Sequence, residues 1–75
     1  NMELRFDAGK LAIDVLRKRQ GKPYHEVGIE VGIAPSTIYR AESRLPLSLK
    51  SFTMICSWLQ ESPGNYFNFE KIESK

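Results

Sequence analysis

Residues 35 to 43 read Pro-Ser-Thr-Ile-Tyr-Arg-Ala-Glu-Ser. At helical spacing, Ile38 and Ala41 share one face, and Ser36, Thr37, Tyr39, Arg40 and Ser43 lie opposite. The second set is polar or amphipathic and contains no acid. Its chemistry is recognition. Hydroxyls donate or accept, a guanidinium forks onto guanine, and the threonine methyl can touch a thymine methyl. The start of such a helix adds a partial positive charge and free N–H groups suited to phosphate. A helix lying in the major groove of DNA needs this set of side chains.

Other reactive side chains do not converge. His25 is alone, with no second histidine or paired cysteine at ligand spacing, so it reads as a surface residue. Cys56 lies on an apolar stripe and reads as a small buried hydrophobe. Trp58 reads as core or a packing edge, and Glu26 and Glu30, four apart, as a solvated face. Gly-rich phosphate loops, nucleophile elbows and metal signatures are missing from the sequence. An enzyme is not expected, nor a cofactor, metal or small-molecule substrate.

The charge is concentrated. The net charge is +2. Between residues 17 and 50, however, Arg17, Lys18, Arg19, Lys22, Arg40, Arg44 and Lys50 face only Glu26, Glu30 and Glu42, a local balance of +4. Such a patch is the footprint of a polyanion binder, although charge runs also occur as plain solvated faces. A single cysteine excludes an internal disulfide and suits a reducing compartment. No apolar run approaches the roughly 18 residues of a membrane span, and the start lacks a signal-peptide core. Met2 reads as the natural start, with Asn1 an added residue. The expectation is a cytoplasmic protein with no membrane partner.

The elements that would position the recognition residues follow from periodicity. A first helix starts near the N-cap Asp7 and carries Leu11, Ala12, Val15 and Leu16. It ends in Arg-Lys-Arg-Gln-Gly, with basic residues at the C-terminus and Gly21 just beyond. A second begins at Pro23 or Tyr24, carries Val27 and Val31, and stops at Gly32. A third begins at Pro35, which pre-sets φ for a first helical position, and runs to about Ser43. After a loop broken by Pro46, Ser48 caps a fourth helix with the stripe Leu49, Phe52, Ile55, Cys56 and Leu59. Ser-Pro-Gly-Asn-Tyr-Phe breaks again, with room for one helical turn. Nothing reads firmly as strand; Tyr-Phe-Asn-Phe at 66 to 69 is the one candidate and is too short. The expected fold is all-α, one compact domain of four or five helices over residues 1–75, with the helix pair at about 23–43 and a tail at about 62–75. The 75-residue chain sits near the lower limit for folding without staples.

The break between the second and third helices has a physical reason. Two short helices joined by a Gly-containing turn can pack steeply. Gly28 costs roughly 1 kcal/mol against Ala in mid-helix, and close backbone approach would justify it. Gly32 supplies the turn. Val27, Val31, Ile38 and Ala41 then share an interior, with Ile33 plugging the corner.

Glu-Val-Gly-Ile-Glu-Val-Gly-Ile-Ala-Pro-Ser-Thr-Ile-Tyr-Arg-Ala-Glu, residues 26 to 42, resembles the helix-turn-helix of the Cro and phage-repressor regulators, the xenobiotic-response-element (Xre) type. The resemblance extends over about residues 8 to 67. It implies a repressor-like DNA-binding domain and a transcriptional regulator, a repressor of phage, plasmid or bacterial origin. It places Pro35, Ser36, Thr37 and Arg40 at base edges, with Tyr39 at a neighbouring groove-facing position. It places Tyr24, Ser43 and Arg44 on the DNA backbone, and Arg17 with Glu42 in a structural ion pair between the first and third helices. Lys22, and with it Lys18 and Arg19, are expected on phosphates. The sequence departs from the family at Ala34, where an N-cap Ser or Thr is usual, and at Pro35, which cannot read a base by hydrogen bond. Readout then leans on Ser36, Thr37 and Arg40.

So small a domain makes few contacts, so a homodimer on half-sites about one helical turn apart is expected. Trp58 on the fourth helix and Tyr66, Phe67, Phe69 and Ile72 in the tail are its candidate interface; the alternative is that these aromatics finish the monomer's core. Two rival functions share the fold: an antitoxin-like or accessory protein-interaction module, and a non-specific architectural DNA binder.

Overall fold

The computed structural model describes residues 1–73. Strand β1 (Met2–Phe6) leads into four helices: α1 (Ala8–Arg19), α2 (Tyr24–Val31), α3 (Pro35–Glu42) and α4 (Leu49–Leu59). A 3₁₀ turn (Pro63–Tyr66) follows, and strand β2 (Phe67–Lys71) closes the series. The helices lie where the apolar spacing predicts them. Asp7 caps α1 by accepting from the Lys10 amide at 3.0 Å, and Ser48 caps α4 by accepting from Ser51 at 3.1 Å. α1 ends in two left-handed residues, Gln20 (φ 52°) and Gly21 (φ 76°).

The all-α expectation is overturned. β1 and β2 form a two-stranded antiparallel sheet, in register from Met2 opposite Lys71 to Phe6 opposite Phe67. The fold is therefore mixed, a helical body with a hairpin-like ribbon. Of the candidate at 66 to 69, Tyr66 belongs to the 3₁₀ turn, while residues 67 to 69 begin a real strand. Its partner is the Met-Glu-Leu-Arg-Phe run at the other end of the sequence, where apolar and charged residues alternate with period two.

The core is one cluster: Leu11, Val15, Val27, Val31, Ile38, Ala41, Phe52, Ile55, Cys56 and Tyr66. Leu16 and Leu49, expected on buried stripes, are 53% and 77% exposed. Leu16 lies past the edge of the apolar face of α1, and Leu49 is the first residue of α4. Tyr66 is fully buried, and its hydroxyl donates to Asp14 Oδ2 at 2.7 Å, so a polar group enters the core with its partner supplied. Burial and that hydrogen bond hold the Tyr66 pKa above the ordinary phenol value. Burial likewise raises the Cys56 thiol.

An aromatic cluster ties the ribbon to the body. Phe6 meets Phe52 edge-on at 5.4 Å and Phe67 at 5.4 Å, and Phe52 meets Phe67 at 6.0 Å. Such pairs add about 0.5–1.5 kcal/mol each beyond area burial. Beyond Phe6 and Phe67 the ribbon projects. The molecule measures 48 × 20 × 19 Å with a radius of gyration of 13.6 Å, against about 11 Å for a compact domain of this length. None of the described helices is long and apolar enough to cross a membrane.

Candidate nucleic-acid interface

The geometry of the site begins at Gly28. A Cβ there would lie 2.7 Å from the Ile33 carbonyl oxygen and 3.3 Å from the Pro35 nitrogen. The turn therefore presses directly on α2, and only glycine leaves room. The Gly28 carbonyl accepts from the amides of Gly32 (2.7 Å) and Ile33 (3.0 Å), closing α2. Gly32 then takes φ 91°, a left-handed value that reverses the chain. Ile33 fills the corner against the core, and α3 starts at Pro35 without a side-chain cap on Ala34.

α3 buries Ile38 and Ala41 and leaves Pro35, Ser36, Tyr39, Arg40 and Ser43 exposed, with Thr37 half-buried. The Tyr39 ring is held edge-on to Tyr24 at 6.0 Å and remains 54% exposed. Arg40 lies back along the following loop, donating from Nε (3.1 Å) and Nη2 (2.7 Å) to the Pro46 carbonyl. A guanidinium has five donors, so part of its hydrogen-bonding capacity still faces solvent.

The single acid of α3 is turned away from this face. Glu42 accepts from Arg19 Nε at 2.6 Å and Nη2 at 3.1 Å, and from the Tyr24 hydroxyl at 2.9 Å. Arg19 also donates to the Lys22 carbonyl at 2.9 Å and stacks over the Tyr24 ring at 4.3 Å. The side chains of Arg19 and Glu42 are only 14% and 10% exposed. Hydrogen bonding to Glu42 raises the pKa of both Arg19 and Tyr24. This bidentate knot clamps the end of α1, the start of α2 and the end of α3 together.

The knot corrects three expectations. Glu42 pairs with Arg19, and Arg17 has no part in it. The reason is helical phase: Arg19 lies four residues beyond buried Val15 and continues the face that packs on α3, whereas Arg17 is rotated away. Arg17 instead lines a shallow groove with Asp14, Lys18, Leu59 and Glu61. Arg19 is consumed by the clamp and is not a free phosphate contact. The Tyr24 hydroxyl is likewise committed to Glu42. Periodicity counted from Val15 was the signal that would have separated Arg19 from Arg17.

The remaining cations are distributed unevenly. Lys22 pairs with Glu30 at 2.7 Å, which raises the lysine pKa. Hydrogen bonds from Lys22 and then from Trp58 Nε1 (3.2 Å) lower the pKa of Glu30. Glu30 is thus a tie between α2 and α4 rather than a bare solvated acid. Lys18 stands over the Trp58 ring at 5.5 Å, on the α4 side of the body. Arg44, at φ 60°, lays its guanidinium across α1, 3.6 Å from where a Cβ on Gly9 would sit. His25 is exposed.

The proposed interface aromatics divide. Tyr66 is core and is withdrawn from any interface, because its ring is enclosed and its hydroxyl is used. Phe67 and Trp58 are partly buried against the core. Phe69 and Ile72 are 69% and 42% exposed. Met2, Leu4 and Phe6, which the sequence reading passed over, join them on the surface at 60%, 55% and 42%. Comparison with known family models, curated proteins and solved structures finds no match to this chain.

Proposed function

We propose that the chain is a sequence-specific double-stranded DNA-binding protein of the Xre-like helix-turn-helix type, acting as a transcriptional regulator with α3 in the major groove. One observation carries this reading: the exposed face of α3 is formed by Ser36, Tyr39, Arg40 and Ser43, while Glu42 is neutralised inside the Arg19–Tyr24 clamp. A negatively charged duplex then meets hydroxyls and a cation with no carboxylate in the way. Arg40 reads a base by leaving the Pro46 carbonyl or by using its remaining donors, and Ser36 supplies a second polar contact. Arg44 and Ser43 grip the backbone, positioning the helix while the base contacts specify the site.

The test is selection from a random-duplex library at near-physiological salt, followed by sequencing of what the protein retains. An enriched motif supports the reading. Retention without a motif replaces it with an architectural binder, and no retention at all overturns DNA binding in favour of a protein-interaction module.

A further inference from the structure

The projecting ribbon has two faces of opposite character. Paired residues of an antiparallel sheet lie on the same face. Met2, Leu4, Phe6, Phe67 and Phe69 therefore share one side with Lys71, and Glu3, Arg5, Asn68 and Glu70 share the other. Arg5 lies 2.7 Å from Glu3 and 3.7 Å from Glu70 on that polar side.

The backbone settles which groups of β1 are used. The Ile72 amide donates to the Asn1 carbonyl at 2.9 Å, and the Asp7 amide donates to the Tyr66 carbonyl at 2.6 Å. Odd-numbered residues of β1 thus turn their polar backbone toward β2. Met2, Leu4 and Phe6 turn theirs to the open edge, because hydrogen-bonding direction alternates along an antiparallel strand. An unpaired edge of this kind is a template for another strand.

We propose that β1 pairs antiparallel with β1 of a second copy of this chain, centred on Leu4, forming a four-stranded sheet across a two-fold axis. This inference concerns assembly alone and does not depend on the DNA-binding reading. Three features select this occupant and this register. The centring sets Leu4 opposite the partner's Leu4, and Met2 opposite the partner's Phe6, so every outward amide and carbonyl of the strand finds a partner. It also sets Glu3 opposite the partner's Arg5, and Arg5 opposite the partner's Glu3, at the closer, non-hydrogen-bonded positions. Two-fold registers centred on Glu3 or on Arg5 would instead oppose like charges. Finally, the partner's Met2 arrives beside Phe6, where Phe6, Pro46, Leu47, Leu49, Phe52 and Phe67 line an apolar groove of about 320 Å³. A flexible thioether suits such a groove. The isologous geometry closes at two copies. The second edge, β2, offers no matching pair of opposite charges: centring on Phe69 would put Lys71 opposite the partner's Phe67, and centring on Glu70 would oppose like charges.

The test is sedimentation equilibrium on the full chain, with charge-swapped variants. The wild type is expected to be a dimer. Glu3→Arg and Arg5→Glu should each weaken association by roughly tenfold or more, since each turns two attractive cross-strand pairs into repulsive ones. An equimolar mixture of these two variants should recover the dimer as a heterodimer, and the double swap Glu3→Arg/Arg5→Glu should dimerise like the wild type. Recovery in the mixture separates a lost interface from a misfolded ribbon. The proposal is overturned by a wild type that stays monomeric up to about 1 mM, by reversals without effect, by a mixture that remains monomeric, or by mass that grows without limit, which would indicate head-to-tail pairing of β1 with β2.

Discussion

At the scale of single residues, the surface proposed to face DNA depends on which charges are already spent. Arg40 is poised on a carbonyl that it can exchange. Replacing it with alanine should cost roughly 1–3 kcal/mol of binding to a selected site and relax the preference at one base position. Equal weakening on all sequences in a competition assay would make it a backbone contact. Glu42 is different, because its role is to hold three elements in one knot. Glu42→Gln leaves Arg19 with an uncompensated, mostly enclosed charge, and should lower stability by about 1–3 kcal/mol in urea unfolding. Tyr66 offers a pH signature. Folding raises its pKa, so its contribution is complete below the unfolded phenol's value of about 10 and is lost as pH climbs toward the higher folded value. The urea midpoint should therefore hold steady through neutral pH and fall as pH rises above about 10. Tyr66→Phe should cost about 1 kcal/mol at neutral pH through the lost Asp14 bond, and should make that alkaline fall shallower. Tyr24 and Cys56, shifted in the same direction, should keep part of it.

At the scale of elements, the helix-turn-helix rests on the absence of a single methyl group. Alanine is the better helix former by about 1 kcal/mol, yet at position 28 it meets a backbone carbonyl at 2.7 Å. Gly28→Ala should therefore be net destabilising, by about 1–3 kcal/mol, because α3 must slide off α2. A variant as stable as the wild type would show that the turn can relax. This part of the fold was legible because its determinants are local: Gly28, Gly32, Pro35 and the caps Asp7 and Ser48 act within a few residues of themselves. The clamp was half legible. Glu42 and a basic partner on the first helix were expected, but choosing Arg19 over Arg17 required helical phase, and the commitment of Tyr24 to the same acid left no sequence signal. The ribbon was not legible. Five alternating residues cannot be told from a frayed terminus until a partner is found, and the partner of Phe6 is Phe67. Nothing near Met2 or Phe69 in the sequence announces that pairing.

At the scale of the whole molecule, a helical body presents the acid-free face of α3 and carries an amphipathic ribbon that projects from it. The alternation along β1 should be visible in hydrogen exchange. The amides of Glu3 and Arg5 face β2 and should be protected at any protein concentration, whereas those of Leu4 and Phe6 should exchange freely in dilute solution and slow as concentration rises. Protection of Leu4 that is independent of concentration would place its partner within the chain. The pairing of β1 with β2 also has a consequence in time. A ribosome delivers β1 before the four helices and β2 after them. At about 5–20 residues per second, roughly 3 to 13 s separate the two. Until residue 71 has emerged, Met2, Leu4 and Phe6 lack their partner strand, while the helices, built from local contacts, can already fold. The alternating Glu3 and Arg5 then serve as solubilising breaks in an apolar run. The order of synthesis makes the β1–β2 pairing the last part of this fold to be secured.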